Sequence, residues 1–157
     1  MDQERVPISP ADLRETLEDL KETVARMHRE LTAALTLEKE AAAAKAELRE
    51  AETARDDAEN SASMEAYAQG VVDGKNAEIR DTQMTAFLNA HPNVCAARET
   101  ARLREATFNN LLQGVQEHRD WYKQGGYHLS ALRSRVDLLT ALINARLAEV
   151  NTETDEF

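Results

Sequence analysis

The fold is decided by the stretch from residue 108 to residue 139, which reads FNNLLQGVQEHRDWYKQGGYHLSALRSRVDLL. Its apolar residues recur with spacings of three and four, and the same phase continues outward to Val94 and Val150. A seven-residue repeat of this kind is typical of a helix that packs along another long helix. The predicted seam consists of Val94, Ala97, Ala101, Arg104, Phe108, Leu111, Val115, His118, Tyr122, Gly125, Leu129, Leu132, Val136, Leu139, Ile143, Arg146 and Val150.

Two adjacent glycines, Gly125 and Gly126, lie within this repeat. The three-four spacing of the seam residues is nevertheless the same before and after them. Each glycine in a helix interior costs about 1 kcal/mol relative to alanine, so the pair alone would indicate a helix end. An intervening loop would have no reason to preserve the register. The sequence therefore predicts one continuous helix from about residue 93 to residue 150.

The first half of the chain carries a second repeat. Ser9, Pro10 and Asp12 form a helix start signal, because serine caps free N–H groups and proline suits the first turn. The predicted seam then runs through Leu13, Leu17, Leu20, Val24, Met27 and Leu31, stutters at Leu35, and continues through Leu37, Ala41, Ala44, Leu48, Ala51, Ala54 and Ala58. We predict one helix over about 10–69, preceded by a disordered segment, 1–9.

These two predicted helices have nearly equal lengths, about 90 Å each at ~1.5 Å per residue. The predicted fold is all-α, a single domain over 10–150 that forms a long antiparallel coiled-coil hairpin. A tip turn and a short helix occupy 70–92, and an acidic, disordered tail follows over 151–157. Folding about residue 81 would place Arg104 opposite Asp56, Asp57 and Glu59, and Gly125 opposite Leu35 and Leu37.

The composition excludes several classes of protein. Five Gly and three Pro among 157 residues are too few for a β-sandwich or for a glycine-rich nucleotide-binding domain. The net charge of −10 disfavours nucleic acid as a partner. Cys95 is the single cysteine, so no internal disulfide can form. No apolar run approaches the ~20 residues that cross a bilayer, and the first ten residues lack a signal-peptide core, so we expect a cytoplasmic protein without membrane contact.

Residues 70–76 (GVVDGKN), in the connection, contain a glycine followed by a Gly-Lys pair, as a phosphate-binding loop does. Three residues separate the two glycines here, one fewer than that loop requires. Asn76 stands where that loop needs a hydroxyl for magnesium. A helix end at Gly70 and a helix start at Asn76 explain these residues better. The four histidines lack metal-binding spacing, so we predict no metal and no cofactor.

Residues 74–80 (GKNAEIR) resemble a signature of small helical proteins encoded by phages and prophages, Gly-Lys-Asn-Ala-Glu-x-Arg. A downstream Leu-Ser-Ala-Leu-Arg run, here 129–133, extends the resemblance over roughly residues 65–148. The resemblance implies a phage or prophage origin, a bacterial host cell as the setting, and an accessory role in phage DNA recombination or replication.

Two groups of polar residues are candidate contact sites. The first, at the predicted tip, consists of Lys75, Asn76, Glu78 and Arg80. The second is a basic strip near Trp121 and Tyr122 that could bind nucleic acid by stacking and phosphate contacts. It consists of Arg98, Arg102, Arg119, Lys123, Arg133 and Arg135.

The predicted function is that of a non-enzymatic binding or scaffold protein that acts through coiled-coil self-association, as a homodimer, and through an unidentified phage or host protein partner. One alternative is a DNA-binding accessory factor that uses the basic strip. A second alternative is an enzyme whose site forms at an oligomer interface, since a two-helix hairpin alone offers few concave pockets.

Overall fold

The computed structural model describes the backbone of residues 10–154 and the side chains of residues 10–148. It contains three helices: α1 (Pro10–Ala68), α2 (Ala77–Ala90) and α3 (Pro92–Thr154). Within this range only residues 69–76 and His91 are not helical. The predicted all-α fold and all three predicted helices are confirmed.

The predicted disorder of residues 1–9 and 155–157 lies outside the described residues. Residues 151–154, which we assigned to the disordered tail, belong to α3. The helix continues because neither glycine nor proline follows Val150. None of the described helices has an apolar stretch long enough to cross a bilayer.

The chain divides into two compact units. Unit 1 combines the start of α1, up to Ala34, with α3 from Gln116 onward, and unit 2 spans Leu35–Val115. In each unit α1 and α3 pack against each other with opposite chain directions. In unit 1, for example, His118 Nδ1 lies 2.7 Å from Glu30 Oε2, while Gly125, further along α3, lies beside the earlier Met27.

The seam of α3 is confirmed by burial. Of the predicted seam residues with described side chains, all are buried or half-buried except Arg104, Tyr122 and Arg146. The helix passes through Gly125 and Gly126 without a break, which confirms the prediction of one continuous helix.

The seam of α1 differs from the prediction, because the expected stutter at Leu35 does not occur. Its buried and half-buried residues keep one three-four spacing over most of the helix, while Leu17, Val24 and Leu31 are exposed. The observed seam is Leu13, Thr16, Leu20, Thr23, Met27, Glu30, Ala34, Leu37, Ala41, Ala44, Leu48, Ala51, Arg55, Ala58, Ala62 and Ala66. In the first half of α1, the seam therefore contains Thr16, Thr23 and Glu30, where we predicted the residues that directly follow them.

The predicted register also needs correction. Arg104 Nη1 bonds Glu47 Oε2 at 2.6 Å, instead of lying opposite Asp56, Asp57 and Glu59. Gly125 lies beside Met27, instead of Leu35 and Leu37. The prediction assumed a connection that folds symmetrically about residue 81. In the structure, His91 Nε2, just before α3, already lies 3.3 Å from Glu65 Oε2, so the pairing is displaced.

Candidate functional site

The turn after α1 ends that helix through backbone hydrogen bonds. Gly70 adopts a left-handed conformation, with φ of 69°, which costs glycine little. The Val71 N–H donates to the Ala66 carbonyl at 3.0 Å, and the Gly70 N–H donates to the Tyr67 carbonyl at 3.1 Å. These bonds satisfy carbonyls that the helix end leaves open, and they confirm the predicted helix end at Gly70.

The following turn is held by the start of α2. Asn76 Oδ1 accepts a hydrogen bond from the Ile79 N–H at 2.9 Å, which confirms the predicted N-cap. The Gln83 amide clamps the turn, because Oε1 accepts from the Gly74 N–H at 3.0 Å and Nε2 donates to Asp73 Oδ1 at 2.9 Å. A methyl group at Gly74 would lie 2.5 Å from Ile79 Cγ2, so a side chain there would force the turn to shift.

The four candidate tip residues divide into two pairs. Asn76 caps α2, and Arg80 Nη1 donates to the Gly74 carbonyl at 3.3 Å, so both stabilise the turn that contains them. Lys75 and Glu78 have exposed side chains. Asn76 and Arg80 are exposed as well, so all four residues stay candidate contacts for a partner.

Two members of the predicted basic strip lie in unit 2 and bond to neighbouring side chains. Arg98 Nε donates to Glu59 Oε1 at 2.7 Å, and its Nη1 donates to Asn89 Oδ1 at 2.7 Å. Arg102 bonds the Glu99 carboxylate at 2.6 Å. These hydrogen bonds lower the pKa of Glu99 and raise the pKa of Arg102. Both arginines thus already face carboxylates.

The other four members lie in unit 1 and do not form one strip. Arg119, Lys123 and Arg133 occupy one face of α3, because they are separated by four and ten residues. Arg135 follows Arg133 by two residues, which is a rotation of about 200° around the helix axis. Trp121 is separated from Arg119 in the same way, so its ring faces away from Arg119, Lys123 and Arg133, whereas Arg135, two seven-residue repeats after Trp121, lies on the Trp121 side.

Trp121 borders an open groove of about 530 Å³ between α1 and α3 of unit 1. The Arg26 guanidinium carbon lies 4.4 Å from the centroid of a Trp121 ring, a cation–π contact. Met27 and Gly125 meet in the groove, and Asp19, Glu22 and His128 also line it. Within the described part of the chain, no group of three or more His, Cys, Asp or Glu could hold a metal ion.

The groove belongs to a larger face, which includes two leucines that lie off the predicted α3 seam in the sequence, Leu138 and Leu142. Because burial along α3 repeats every seven residues, Leu142 lies on the same side as Trp121, three repeats later, with Leu138 one turn before it. All three side chains are substantially exposed. We call this surface the Trp121 face and define it by Asp19, Glu22, Arg26, Arg29, Trp121, Leu138 and Leu142.

Comparison of the chain with protein-family models, with curated proteins and with solved structures gives no match.

Proposed function

We propose that this chain is a non-enzymatic binding and scaffold protein that self-associates through its helices, in a phage or prophage setting as the resemblance of residues 74–80 implies. In this proposal α1 and α3 form an antiparallel coiled-coil hairpin with α2 at its tip. Self-association is the step that the observations below support most directly.

The observation that carries the proposal is the distribution of apolar side chains. Among the described residues, seven of the twelve buried apolar residues are alanines, whereas sixteen larger apolar side chains are exposed. Val94 is the largest apolar side chain that is almost completely buried. Since burial of apolar area is the main favourable term in association, this chain gains by covering those side chains with another chain.

The Trp121 face is the surface we assign to a second copy. In chain order its α1 charges are Asp19, Glu22, Arg26 and Arg29. A two-fold axis near residue 24 would bring Glu22 of one copy to Arg26 of the other, and Asp19 to Arg29. A two-fold contact needs a self-complementary surface, and this order of charges provides one on α1, while Leu138 and Leu142 lie further along the same face of α3.

Light scattering and sedimentation test the dimer. We expect the wild-type chain at micromolar concentration to have twice the 17.6 kDa mass of one chain. The double variant Leu138→Lys/Leu142→Lys should be monomeric, because it replaces the two exposed leucines of the Trp121 face in each copy by cations that a second copy would have to strip of water.

Tyr127→Lys is the matched control, since Tyr127 is 68% exposed and lies outside the Trp121 face. It should leave the mass of a dimer unchanged. A wild-type chain that stays at 17.6 kDa would refute self-association. A dimer that survives the double lysine variant would refute our choice of face.

The hairpin has its own test. Spin labels at positions 17 and 143, in a chain whose Cys95 is replaced by Ser, should lie within about 20 Å of each other if α1 and α3 return antiparallel. A separation near the ~90 Å length of either helix would exclude the hairpin. Mixing labelled with unlabelled chains distinguishes a distance within one chain from a distance between copies.

The two alternative functions stay predictions. A DNA-binding role that used the whole strip would require Arg98 and Arg102 to leave the carboxylates to which they are bonded. An enzymatic site would have to form between copies, and the Trp121 groove is one concave surface that could contribute to it.

A further inference from the structure

A second apolar stripe lies on unit 1, on the side away from the Trp121 face. It consists of Leu17, Val24 and Leu31, which are seven residues apart and 41%, 47% and 39% exposed. Asp19 and Arg26 line the Trp121 groove. Leu17 lies two residues before Asp19, and Val24 lies two residues before Arg26. Two residues correspond to about 200° around a helix, so the stripe cannot share that groove.

Basic side chains border this stripe on α1. Arg14, Lys21 and His28 also repeat every seven residues, and each lies three or four positions from a stripe residue, so they share its face. All three are exposed. Lys21 forms an ion pair with Glu18 at 2.7 Å, but the two side chains are 69% and 65% exposed. Such a pair is weak and leaves Lys21 available to a partner.

Basic side chains of α3 border the stripe from the other side. Trp121 and Arg26 are in contact on one side of the helix pair. The residues about 200° away, Arg119 on α3 and Val24 on α1, must therefore lie on the opposite side. Lys123 and Arg133 share the face of Arg119. We call the surface formed by the stripe and these six bordering residues the basic face.

The basic face contrasts with the charge of the whole chain. It holds five Arg or Lys residues, although acids exceed bases by ten in the sequence. Asp120 directly follows Arg119 on α3, and Asp137, four residues after Arg133, lies on the same side of the helix, so the basic face includes one acid beside its five cations. Two copies that met through this face would bring like charges together, so a second copy is not a suitable occupant.

We propose that the basic face docks an acidic amphipathic helix of another protein. Leucine and valine at seven-residue spacing fit the apolar side of such a helix, and the flanking cations fit its acidic margins. Leu17 to Leu31 spans about 21 Å, which corresponds to roughly four turns of the ligand helix. Nucleic acid fits less well, because the stripe is aliphatic and the whole chain carries a net charge of −10.

A labelled synthetic helix tests the proposal. The probe is a peptide of about 21 residues with Leu on one face and Glu on its margins, long enough to be helical once bound. The comparison peptide has the same composition with the Leu positions scrambled. Fluorescence anisotropy should show that the patterned peptide binds about tenfold more tightly than the scrambled peptide. Its affinity should fall as the salt concentration is raised.

Matched variants locate the site. Lys21→Glu/Lys123→Glu should weaken binding of the patterned peptide at least tenfold, whereas Lys39→Glu/Lys45→Glu, with the same change in net charge at exposed sites of unit 2, should not. Val24→Ser should weaken it severalfold, and Leu103→Ser, at a similarly exposed leucine of unit 2, should leave it unchanged. Circular dichroism verifies that each variant stays helical.

Three results would overturn the proposal. Absence of binding is the first, and equal binding of patterned and scrambled peptides is the second, since it would mean attraction by charge alone. The third is that a labelled DNA oligonucleotide or anionic vesicles bind in preference to the peptide, and that the Lys21→Glu/Lys123→Glu variant abolishes this binding. None of these outcomes depends on self-association, because the dimer is assigned to the Trp121 face.

Discussion

Units 1 and 2 use the same two helices but pack them with side chains of different size. In unit 2 the α1 seam is mostly alanine, and ion pairs such as Arg98 with Glu59 and Arg104 with Glu47 join the helices. In unit 1 the buried α3 side chains are the larger Leu132 and Leu139, and the uncovered stripe and the Trp121 face flank them. Unit 2 is thus stabilised by close approach of small residues, and unit 1 by large residues that one partner helix covers incompletely.

Unit 1 should lose most when a large side chain is shortened. Leu132 is 5% exposed, so Leu132→Ala removes buried methyl groups and leaves a cavity, at a cost of about 2–4 kcal/mol. Thermal or urea unfolding at fixed protein concentration measures the loss. Leu147→Ala, at a side chain that is 57% exposed, is the control and should change stability by less than about 0.5 kcal/mol. Equal effects of the two would mean that the unit 1 seam does not stabilise the fold.

Unit 2 should lose most when a small side chain is enlarged. Ala62 is 1% exposed, and Ala62→Leu adds three carbon atoms at this buried position of the α1 seam, at a cost of about 1–3 kcal/mol. Urea midpoints of this variant and of Ala54→Leu, an exposed site on the same helix, measure the difference. If Ala62→Leu is as stable as the wild type, the alanines are not needed for close approach.

The turn in unit 2 offers a smaller effect. Asn76→Ala removes the acceptor that satisfies the Ile79 N–H and should destabilise by about 1 kcal/mol. Asn109→Ala, at an exposed helical site, should not, because alanine is the better helix former. A melting temperature unchanged by Asn76→Ala would indicate that α2 adds little to the stability of unit 2.

The smallest effect concerns the glycine pair of unit 1. A methyl group at Gly126 would meet nothing nearer than Met27 Cε at 4.0 Å, so Gly126→Ala should raise stability by roughly 0.5–1 kcal/mol. At Gly125 the methyl group would lie 2.5 Å from Met27 Cγ and force that side chain to move. Gly125→Ala should therefore be less stable than Gly126→Ala in differential scanning calorimetry. The reverse order would contradict the packing of Met27 against Gly125.

Local signals in the sequence predicted much of this fold. Gly70 and Asn76 predicted the turn correctly. Gly70 acts through its own backbone conformation and Asn76 through its own side chain, so neither depends on how the rest of the chain packs. The α3 seam was predictable because one phase of its repeat holds most of the large apolar residues. Choosing the phase with the large apolar residues also placed Leu17, Val24 and Leu31 in the α1 seam. In the structure the preceding residues, Thr16, Thr23 and Glu30, are buried or half-buried instead. A repeat reveals that an apolar face is present, but not which of two faces the chain itself covers.

The site was less predictable than the fold for the same reason. The basic strip was read from the order of cations along α3, without their partners on α1 or on the same helix. Glu59 and Asn89 bond Arg98, and these contacts depend on the register. The register depends in turn on how the connection folds, which is set by the packing of the whole turn and not by the number of residues in it.

The contact of Glu30 with His118 limits how the two helices can slide past each other. A displacement by one seven-residue repeat would keep most apolar contacts of the seam, so apolar packing alone tolerates such slippage. In one direction it would also move Glu30 from His118 to the level of Gly125, which has no side chain to donate a hydrogen bond to the carboxylate. Glu30 is only 20% exposed, so its carboxylate would lose a partner that water replaces incompletely. The Glu30–His118 pair thus disfavours an alignment in which Glu30 is level with Gly125, one that apolar packing alone would allow.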